Sequence, residues 1–112
     1  MTQPARISYQ DPDPNDARMV MEEVDEATPG ATGWPFRAAR FEVPPGATTE
    51  RDEHDVAELW MVSTGTGTVT SNGSVLDVRP GEMVYFASRV PHQITNTGPD
   101  RLRLFTVWWP AS

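Results

Sequence analysis

Turn-forming residues divide this chain into segments too short for long helices. Of its 112 residues, 11 are proline and 8 are glycine, and both residue types interrupt regular secondary structure. The dipeptide Asn72-Gly73 separates two runs rich in β-forming residues, 68–71 and 74–78, which is a strong signal for a two-residue β-hairpin turn. Regular turn spacing without a helical period predicts an all-β sandwich or barrel.

Further strands are predicted where apolar and β-branched residues lie between these turns. Along the run that begins at Glu58, the period of two places Glu58 and Trp60 on the same face, so Trp60 is expected to point into the barrel. The remaining predicted strands cover residues 36–43, 58–63, 83–86, 92–95 and 102–109.

The first 33 residues are predicted to form an acidic arm. Seven carboxylates lie between residues 11 and 26, and the only basic residues here are Arg6 and Arg18. Pro12 and Pro14 break any early helix. We expect a partly extended segment, either a tail that adds one edge strand or a lid or swapped strand over a partner's site. Residues 34–112 are expected to form one barrel domain, since the length suits a single domain.

The composition excludes several classes of function. The chain has no cysteine, which excludes disulfides and thiolate zinc sites, and no lysine, which excludes Schiff-base chemistry. A net charge of −7 without a basic run is unfavourable for binding nucleic acid or an anionic membrane. No apolar stretch approaches transmembrane length and no signal peptide is visible. We therefore expect a soluble cytoplasmic protein that binds neither nucleic acid nor membrane.

Both histidines of the chain lie in glycine-framed segments, and carboxylates flank the first of them. Residues i and i+2 of an extended segment share a face, so Asp52 and His54 are expected to point the same way. Glu58 opens the next strand and can point back toward them, and His92 comes from a separate strand. Imidazole nitrogen and carboxylate oxygen suit a divalent first-row metal. These four residues are therefore the candidate metal ligands.

The residues around His54 resemble the first conserved motif of the cupin superfamily. That motif reads glycine, five residues, histidine, one residue, histidine, three or four residues, glutamate, six residues, glycine. From Gly46 to Gly65 this chain matches every fixed position except the first histidine, which is Asp52 here.

The residues around His92 resemble the second cupin motif, which also begins with glycine and ends with a histidine and an asparagine. Gly81, His92 and Asn96 match that motif, whereas Ala87 and Arg89 stand where the motif has a proline and a second glycine. The two motifs together extend the resemblance over roughly residues 36–109, which is most of the chain.

The resemblance implies an all-β cupin fold, the double-stranded β-helix or jelly-roll barrel, with one divalent metal inside and a homodimeric assembly. Cupin ligands are usually three histidines and one glutamate, so Asp52 is a departure. With two carboxylates and two imidazoles, zinc is the first expectation, and iron, manganese and nickel are alternatives. If Asp52 turns away, His54, Glu58 and His92 form the two-histidine-one-carboxylate set of Fe(II) oxygenases.

Other residues are candidates for chemistry or substrate binding near the metal. Glu58 is a candidate catalytic residue as well as a ligand, and Tyr85 is a candidate phenolic acid or else a plain strand residue. Arg40 is a candidate for binding a substrate carboxylate, or else it pairs with the acidic arm. Trp60 is a candidate wall of the substrate pocket or a core residue.

Two classes of function follow from these residues. The favoured class is a metal-dependent enzyme that acts on a small polar metabolite by a non-oxidative Lewis-acid reaction, such as isomerisation, cyclisation, lyase chemistry or rearrangement. An Fe(II)-dependent dioxygenase stays open within that class, and a non-catalytic ligand-binding or sensor cupin is the second class. Residues 51–58 are also similar to zinc-binding cupin modules of enzymes that form nitrogen–nitrogen bonds in secondary metabolism.

Overall fold

The computed structural model describes residues 3–111 as a fold built almost entirely from β-strands. Each predicted strand is present, with bounds within two residues of those expected. A 3-10 turn covers Ala31–Gly33, and no helix among the described residues is long and apolar enough to cross a membrane. The strands are β1 (Val20–Glu23), β2 (Arg37–Val43), β3 (Val56–Thr64), β4 (Gly67–Ser71), β5 (Ser74–Val78), β6 (Met83–Phe86), β7 (Gln93–Asn96) and β8 (Leu102–Pro110).

The strands form two antiparallel sheets that enclose one apolar core. The larger sheet has the order β1-β2-β8-β3-β6 and the smaller has the order β5-β4-β7. Burial of each large apolar side chain between them contributes about 1.5 to 3 kcal/mol. The all-β jelly-roll prediction is therefore confirmed. The buried core consists of Phe41, Val43, Trp60, Val62, Val69, Val78, Phe86, Ile94, Leu102 and Leu104.

The hairpin between β4 and β5 has the turn that its sequence predicts. Asn72 and Gly73 adopt φ angles of 50° and 83°, and positive φ at both central residues is what a type I′ turn requires. Ser71 and Ser74 are direct partners across the hairpin. Because a two-residue loop sets the strand register, this turn determines which residues of β4 and β5 face the core.

The N-terminal arm lies along the edge of the larger sheet. Strand β1 pairs with β2 in antiparallel register, so that Met21 is opposite Phe41 and Glu23 is opposite Ala39. Phe41 and Ala39 are buried, and direct cross-strand partners share a face. Met21 and Glu23 therefore belong to the inner side of the sheet.

Asn96, the last residue of the second motif, has a structural role. Its side-chain nitrogen donates hydrogen bonds to the backbone carbonyls of Val43 and Asp100, each at 2.8 Å. Its side-chain oxygen accepts a hydrogen bond from the backbone N–H of Gly98 at 2.9 Å. A buried amide with all of these partners fixes the turn between β7 and β8, at the far end of the barrel from Asp52 and His54.

We predict that Gly65→Ala destabilises the fold far more than Gly46→Ala, although both glycines have positive φ, at 87° and 77°. A Cβ at Gly65 would lie 2.8 Å from the carbonyl oxygen of Arg101 and 2.9 Å from the Cα of Leu102, whereas a Cβ at Gly46 meets nothing within 4 Å. We expect a loss of unfolding free energy of about 2 to 4 kcal/mol for Gly65→Ala and about 1 kcal/mol for Gly46→Ala. Urea denaturation measures both, and equal losses would contradict the prediction.

Candidate functional site

A cavity of about 430 Å³ opens at the end of the barrel where β3 begins and β8 ends. Its walls come from the arm, from the segment before β3, from β3 itself and from β8. Apolar and acidic side chains both line it, as is common for small-molecule sites. The lining residues are Met19, Met21, Glu23, Asp52, His54, Val56, Glu58 and Trp108.

Glu58 lines this cavity and forms an ion pair with the buried His92. The Oε1 atom of Glu58 lies 3.0 Å from Nε2 of His92, and the side chains are only 12% and 4% exposed. The other ring nitrogen of His92, Nδ1, donates to the backbone carbonyl of Val90 at 2.9 Å. Both nitrogens therefore face acceptors, and this environment favours the doubly protonated, charged ring.

The second oxygen of Glu58 is also hydrogen-bonded. Its Oε2 accepts from Nε1 of Trp60 at 2.9 Å and from the hydroxyl of Thr106. Thr106 was not among the sequence candidates. It is, however, a polar residue at an inward position of the apolar strand β8, directly opposite Trp60. Three donors therefore hold the carboxylate in one orientation.

These contacts shift the pKa values of both partners toward their charged forms. Burial by itself raises the pKa of Glu58, but the hydrogen bonds from His92, Thr106 and Trp60 and the positive charge of His92 outweigh burial, so this pKa falls below 4.5. Burial by itself lowers the pKa of His92. The hydrogen bonds to Glu58 and Val90 and the negative charges of Glu58 and Asp52 outweigh that effect, so this pKa rises above 6.5.

Local structure explains why His92 is held next to Glu58. A pair of backbone hydrogen bonds of 2.9 and 3.0 Å joins it to Asp52, which connects the segment before β3 with the start of β7. The imidazole stacks on Phe86 with ring centroids 4.2 Å apart and meets the edge of Trp60 at 5.2 Å. Aromatic walls on two sides exclude water and strengthen the contact with Glu58.

Asp52 and His54 form a second, outer pair at the mouth of the cavity. Their closest side-chain atoms are Oδ1 of Asp52 and Nε2 of His54, 3.8 Å apart, and both side chains are about half exposed. The ring of His54 lies 6.2 Å from that of His92, measured between centroids. The structure thus brings the four candidate ligands to one end of the barrel as two pairs.

In this arrangement the four side chains do not converge on one metal position. The donor types are suitable, but within residues 3–111 no group of three or more histidine, aspartate or glutamate side chains is placed to hold one. Both oxygens of Glu58 and both nitrogens of His92 already have hydrogen-bond partners in the protein. The metal therefore stays a prediction.

The other sequence candidates lie at different places. Trp60 is buried in the core, and its ring nitrogen contacts Glu58. Tyr85 is 59% exposed on the outer surface beside Trp109. Arg40 lies on the outer face of β2, where it pairs with Glu22 at 3.0 Å and covers the ring of Tyr9. The structure does not bring Tyr85 or Arg40 to the cavity, which corrects the expectation for both.

Comparison with known protein families gives a match over most of the barrel. The model of the cupin domain family matches residues 39–108. Xanthan biosynthesis protein XanB from Xanthomonas campestris pv. campestris is 36% identical over 76 residues, which cover 67% of this chain and 16% of that protein. The chain thus spans about one sixth of the length of the curated relatives it matches.

Comparison with solved structures shows the same fold at low sequence identity. A predicted oxalate decarboxylase from Thermotoga maritima superposes with a TM-score of 0.75 at 21% identity and covers 96% of this chain and 94% of its own. A Cupin 2 conserved barrel domain protein from Salinispora arenicola superposes with a TM-score of 0.67 at 23% identity, over 96% of this chain and 76% of its own.

We predict that the Glu58–His92 pair stabilises the metal-free protein most in mildly acidic solution. The contribution of His92 is complete below pH 6.5 and is lost as the pH rises through its raised folded pKa. The contribution of Glu58 is complete above pH 4.5 and is lost as the pH falls through its lowered folded pKa. Both contributions are therefore present between these two values.

His92→Gln should lower the unfolding free energy by about 2 to 3 kcal/mol within that window and flatten its pH dependence, because the buried carboxylate loses its charged partner. Urea denaturation in the presence of a chelator, across the acid and neutral range, measures this. His54→Gln is the matched control at the half-exposed histidine, with an expected loss under about 0.5 kcal/mol. Equal profiles for the two variants would refute the prediction.

Proposed function

The chain belongs to the cupin family, and on that premise we propose that it binds a small polar molecule in the cavity above Glu58 and acts on it without redox chemistry. The observation that carries this proposal is that Glu58, which lines an open cavity, forms an ion pair with the buried His92. A buried ion pair contributes little net stability compared with apolar packing. Titratable groups with shifted pKa values in a cleft are instead typical of functional sites.

The hydrogen bonds of Glu58 suit it to orient a ligand. A carboxylate has about four acceptor positions, and three of them are taken by His92, Trp60 and Thr106. The remaining position can accept a hydrogen bond from a ligand in the cavity. Because three donors hold the carboxylate still, the ligand meets a preorganised charge, which favours binding and charge stabilisation during a reaction.

The same pair can hold a proton for a non-oxidative reaction. A hydrogen bond of 3.0 Å joins Nε2 of His92 to Oε1 of Glu58, so a change of charge on a ligand that contacts Glu58 would alter the proton affinity of His92 directly. Isomerisation and lyase reactions need such proton movement and no oxidant. The lowered pKa of Glu58 makes it a weak base, and this favours a non-catalytic ligand-binding cupin as the second candidate.

We also propose that the protein binds a divalent metal, with zinc as the first expectation. Its ligands would be Asp52, His54, Glu58 and His92. Its support is the donor set of two imidazoles and two carboxylates at one end of the barrel. For the four to converge, Glu58 and His92 would have to give up their mutual hydrogen bond, and His54 would have to turn inward from its half-exposed position.

We predict that the protein consumes one compound in an extract of polar metabolites, whether or not dioxygen is present. Glu58→Gln should slow this consumption at least about 100-fold, because the preorganised charge is lost. Mass spectrometry of the extract after incubation, with and without added zinc, measures consumption. Asp100→Asn, at the far end of the barrel, is the control and should have no effect. Binding without consumption would favour the ligand-binding alternative, and dependence on dioxygen would contradict the proposal.

Metal content, measured on the same purified samples, decides the cofactor. Near-stoichiometric zinc that is lost in Asp52→Ala, His54→Ala and His92→Ala is the result that a four-ligand site predicts. Iron that survives Asp52→Ala would indicate a three-ligand site and the Fe(II) dioxygenase. A protein that takes up no metal even after supplementation would leave the Glu58–His92 pair as the functional group.

We also propose that the protein forms a homodimer through the outer face of the larger sheet. Met61 is opposite Met83 in β6 and opposite Phe105 in β8, and Tyr85 follows on the same face of β6. These four apolar side chains are exposed and form one continuous patch. Monomeric proteins rarely leave such a patch in water, and a twofold dimer would cover the same patch on both copies.

Met61→Glu should convert a dimer into a monomer, because the charge would be buried at the centre of the contact. Size-exclusion chromatography with light scattering measures the mass. Val75→Glu is the matched control, since Val75 is an apolar residue of the smaller sheet that is 68% exposed. A native protein that is monomeric at high concentration would refute the dimer.

A further inference from the structure

We infer that the cavity selects an organic cation, namely a small molecule with an ammonium group joined to an apolar portion. The inference rests on the proposed function, because it assigns a ligand class to the same cavity in its metal-free arrangement, in which Asp52 and Glu58 are not metal ligands. Its basis is the distribution of charge and of apolar surface along the cavity wall. Both features involve residues other than Glu58 and His92.

The cavity wall carries an excess of negative charge. Glu23, Asp52 and Glu58 line it, and no arginine does, while the chain has no lysine at all. If Glu58 and His92 are counted as a neutral pair, Glu23 and Asp52 leave two carboxylates around one opening, and the half-exposed imidazole of His54 is the basic neighbour of Asp52. An anionic ligand would be repelled there, and a cation would be attracted.

Asp52 contributes one of these negative charges, and it does so at a position where this chain departs from the first cupin motif. The first cupin motif has a histidine there, which is neutral when it binds a metal. An aspartate at this place puts a negative charge at the mouth of the cavity, with a side chain that is 45% exposed. The backbone of Asp52 is at the same time tied to His92 by two hydrogen bonds. The backbone from which this carboxylate extends is therefore fixed relative to His92.

The apolar part of the wall is next to these charges. Trp108 is the direct cross-strand partner of Glu58, so its ring lies beside the carboxylate on the inner face. Met19 and Met21 line the cavity from the arm and also pack against the core. An aromatic ring attracts a cation that lies over its face, by about 0.5 to 2 kcal/mol, and methionine adapts to apolar ligands of varied shape.

The arm is therefore part of the site. Strand β1 supplies Met21 and Glu23, one apolar and one charged group, on the inner side of the sheet. A ligand with its ammonium group toward Asp52 and Glu58 and its apolar portion against Trp108 and Met21 would satisfy both kinds of surface. The cavity of about 430 Å³ lies within the size range of small-molecule sites.

Three probes with the same ring and different charge test the inference: phenethylamine, 2-phenylethanol and phenylacetate. Nuclear magnetic resonance titration of the native protein, read at the indole N–H of Trp108, gives the affinity of each. We expect the amine to bind about 10-fold more tightly than the alcohol, because a charge-assisted hydrogen bond is about twice as strong as a neutral one. Phenylacetate should cause no shift, and added salt should weaken the amine alone.

Asp52→Asn and Glu23→Gln identify the source of the selectivity. Each should reduce the affinity for phenethylamine several-fold and leave that for 2-phenylethanol unchanged, since only the charge is removed. Asp100→Asn removes one negative charge at the far end of the barrel and should change neither affinity. A loss of amine affinity in Asp100→Asn equal to that in Asp52→Asn would mean that net charge alone attracts the amine, which overturns the inference.

The outcome also separates this inference from the proposed function. Equal affinities for the amine and the alcohol, both lost in Trp108→Ala when read at the backbone N–H of Val56, which also lines the cavity, would overturn selection of a cation and still support ligand binding in the cavity. Tighter binding of phenylacetate would overturn it as well. If no probe shifts the Trp108 signal, the inference fails, and the consumption of metabolites by native protein and by Glu58→Gln decides the proposed function independently.

Discussion

The contact between Glu58 and His92 is the interaction on which the cavity end of the barrel depends. It joins β3 of the larger sheet to the residue just before β7 of the smaller one, at the point where the two sheets meet. An unpaired charge in this place would be strongly unfavourable. The surrounding strands therefore supply the donors of Trp60 and Thr106 and a stacked wall from Phe86. The contacts that pack the core at this end of the barrel are thus also the contacts that hold Glu58 and His92 in place.

Asp52 links the fold to the proposed ligand selection. Its backbone exchanges two hydrogen bonds with His92, which sets the position of the imidazole and thus of the ion pair. Its side chain stays at the mouth of the cavity near His54, where it adds charge without entering the core. A substitution that keeps the backbone and changes only the side chain therefore alters the electrostatics of the cavity while the barrel is retained.

Strand β3 serves two surfaces because its side chains alternate. Glu58 and Trp60 face inward, to the cavity and the core, whereas Met61 lies on the opposite face in the patch proposed for the dimer. The arm uses the same principle, since Met21 and Glu23 face the cavity while Glu22 pairs with Arg40 outside. Because successive side chains of a strand point to opposite faces, the residues proposed for ligand binding and those proposed for the dimer contact lie on opposite faces of the sheet.

The sequence by itself determined the strands, the Asn72-Gly73 hairpin and the inward direction of Trp60, because turn residues and a period of two act locally. Two motifs also indicated the four candidate ligands, which the fold places at one end of the barrel. Only the tertiary structure decided which side chains meet. The antiparallel register of β3 against β8 brings Thr106 to Glu58, and the faces of β2 and β6 turn Arg40 and Tyr85 outward. Register and face depend on contacts between residues far apart in the chain, and local sequence patterns do not record them.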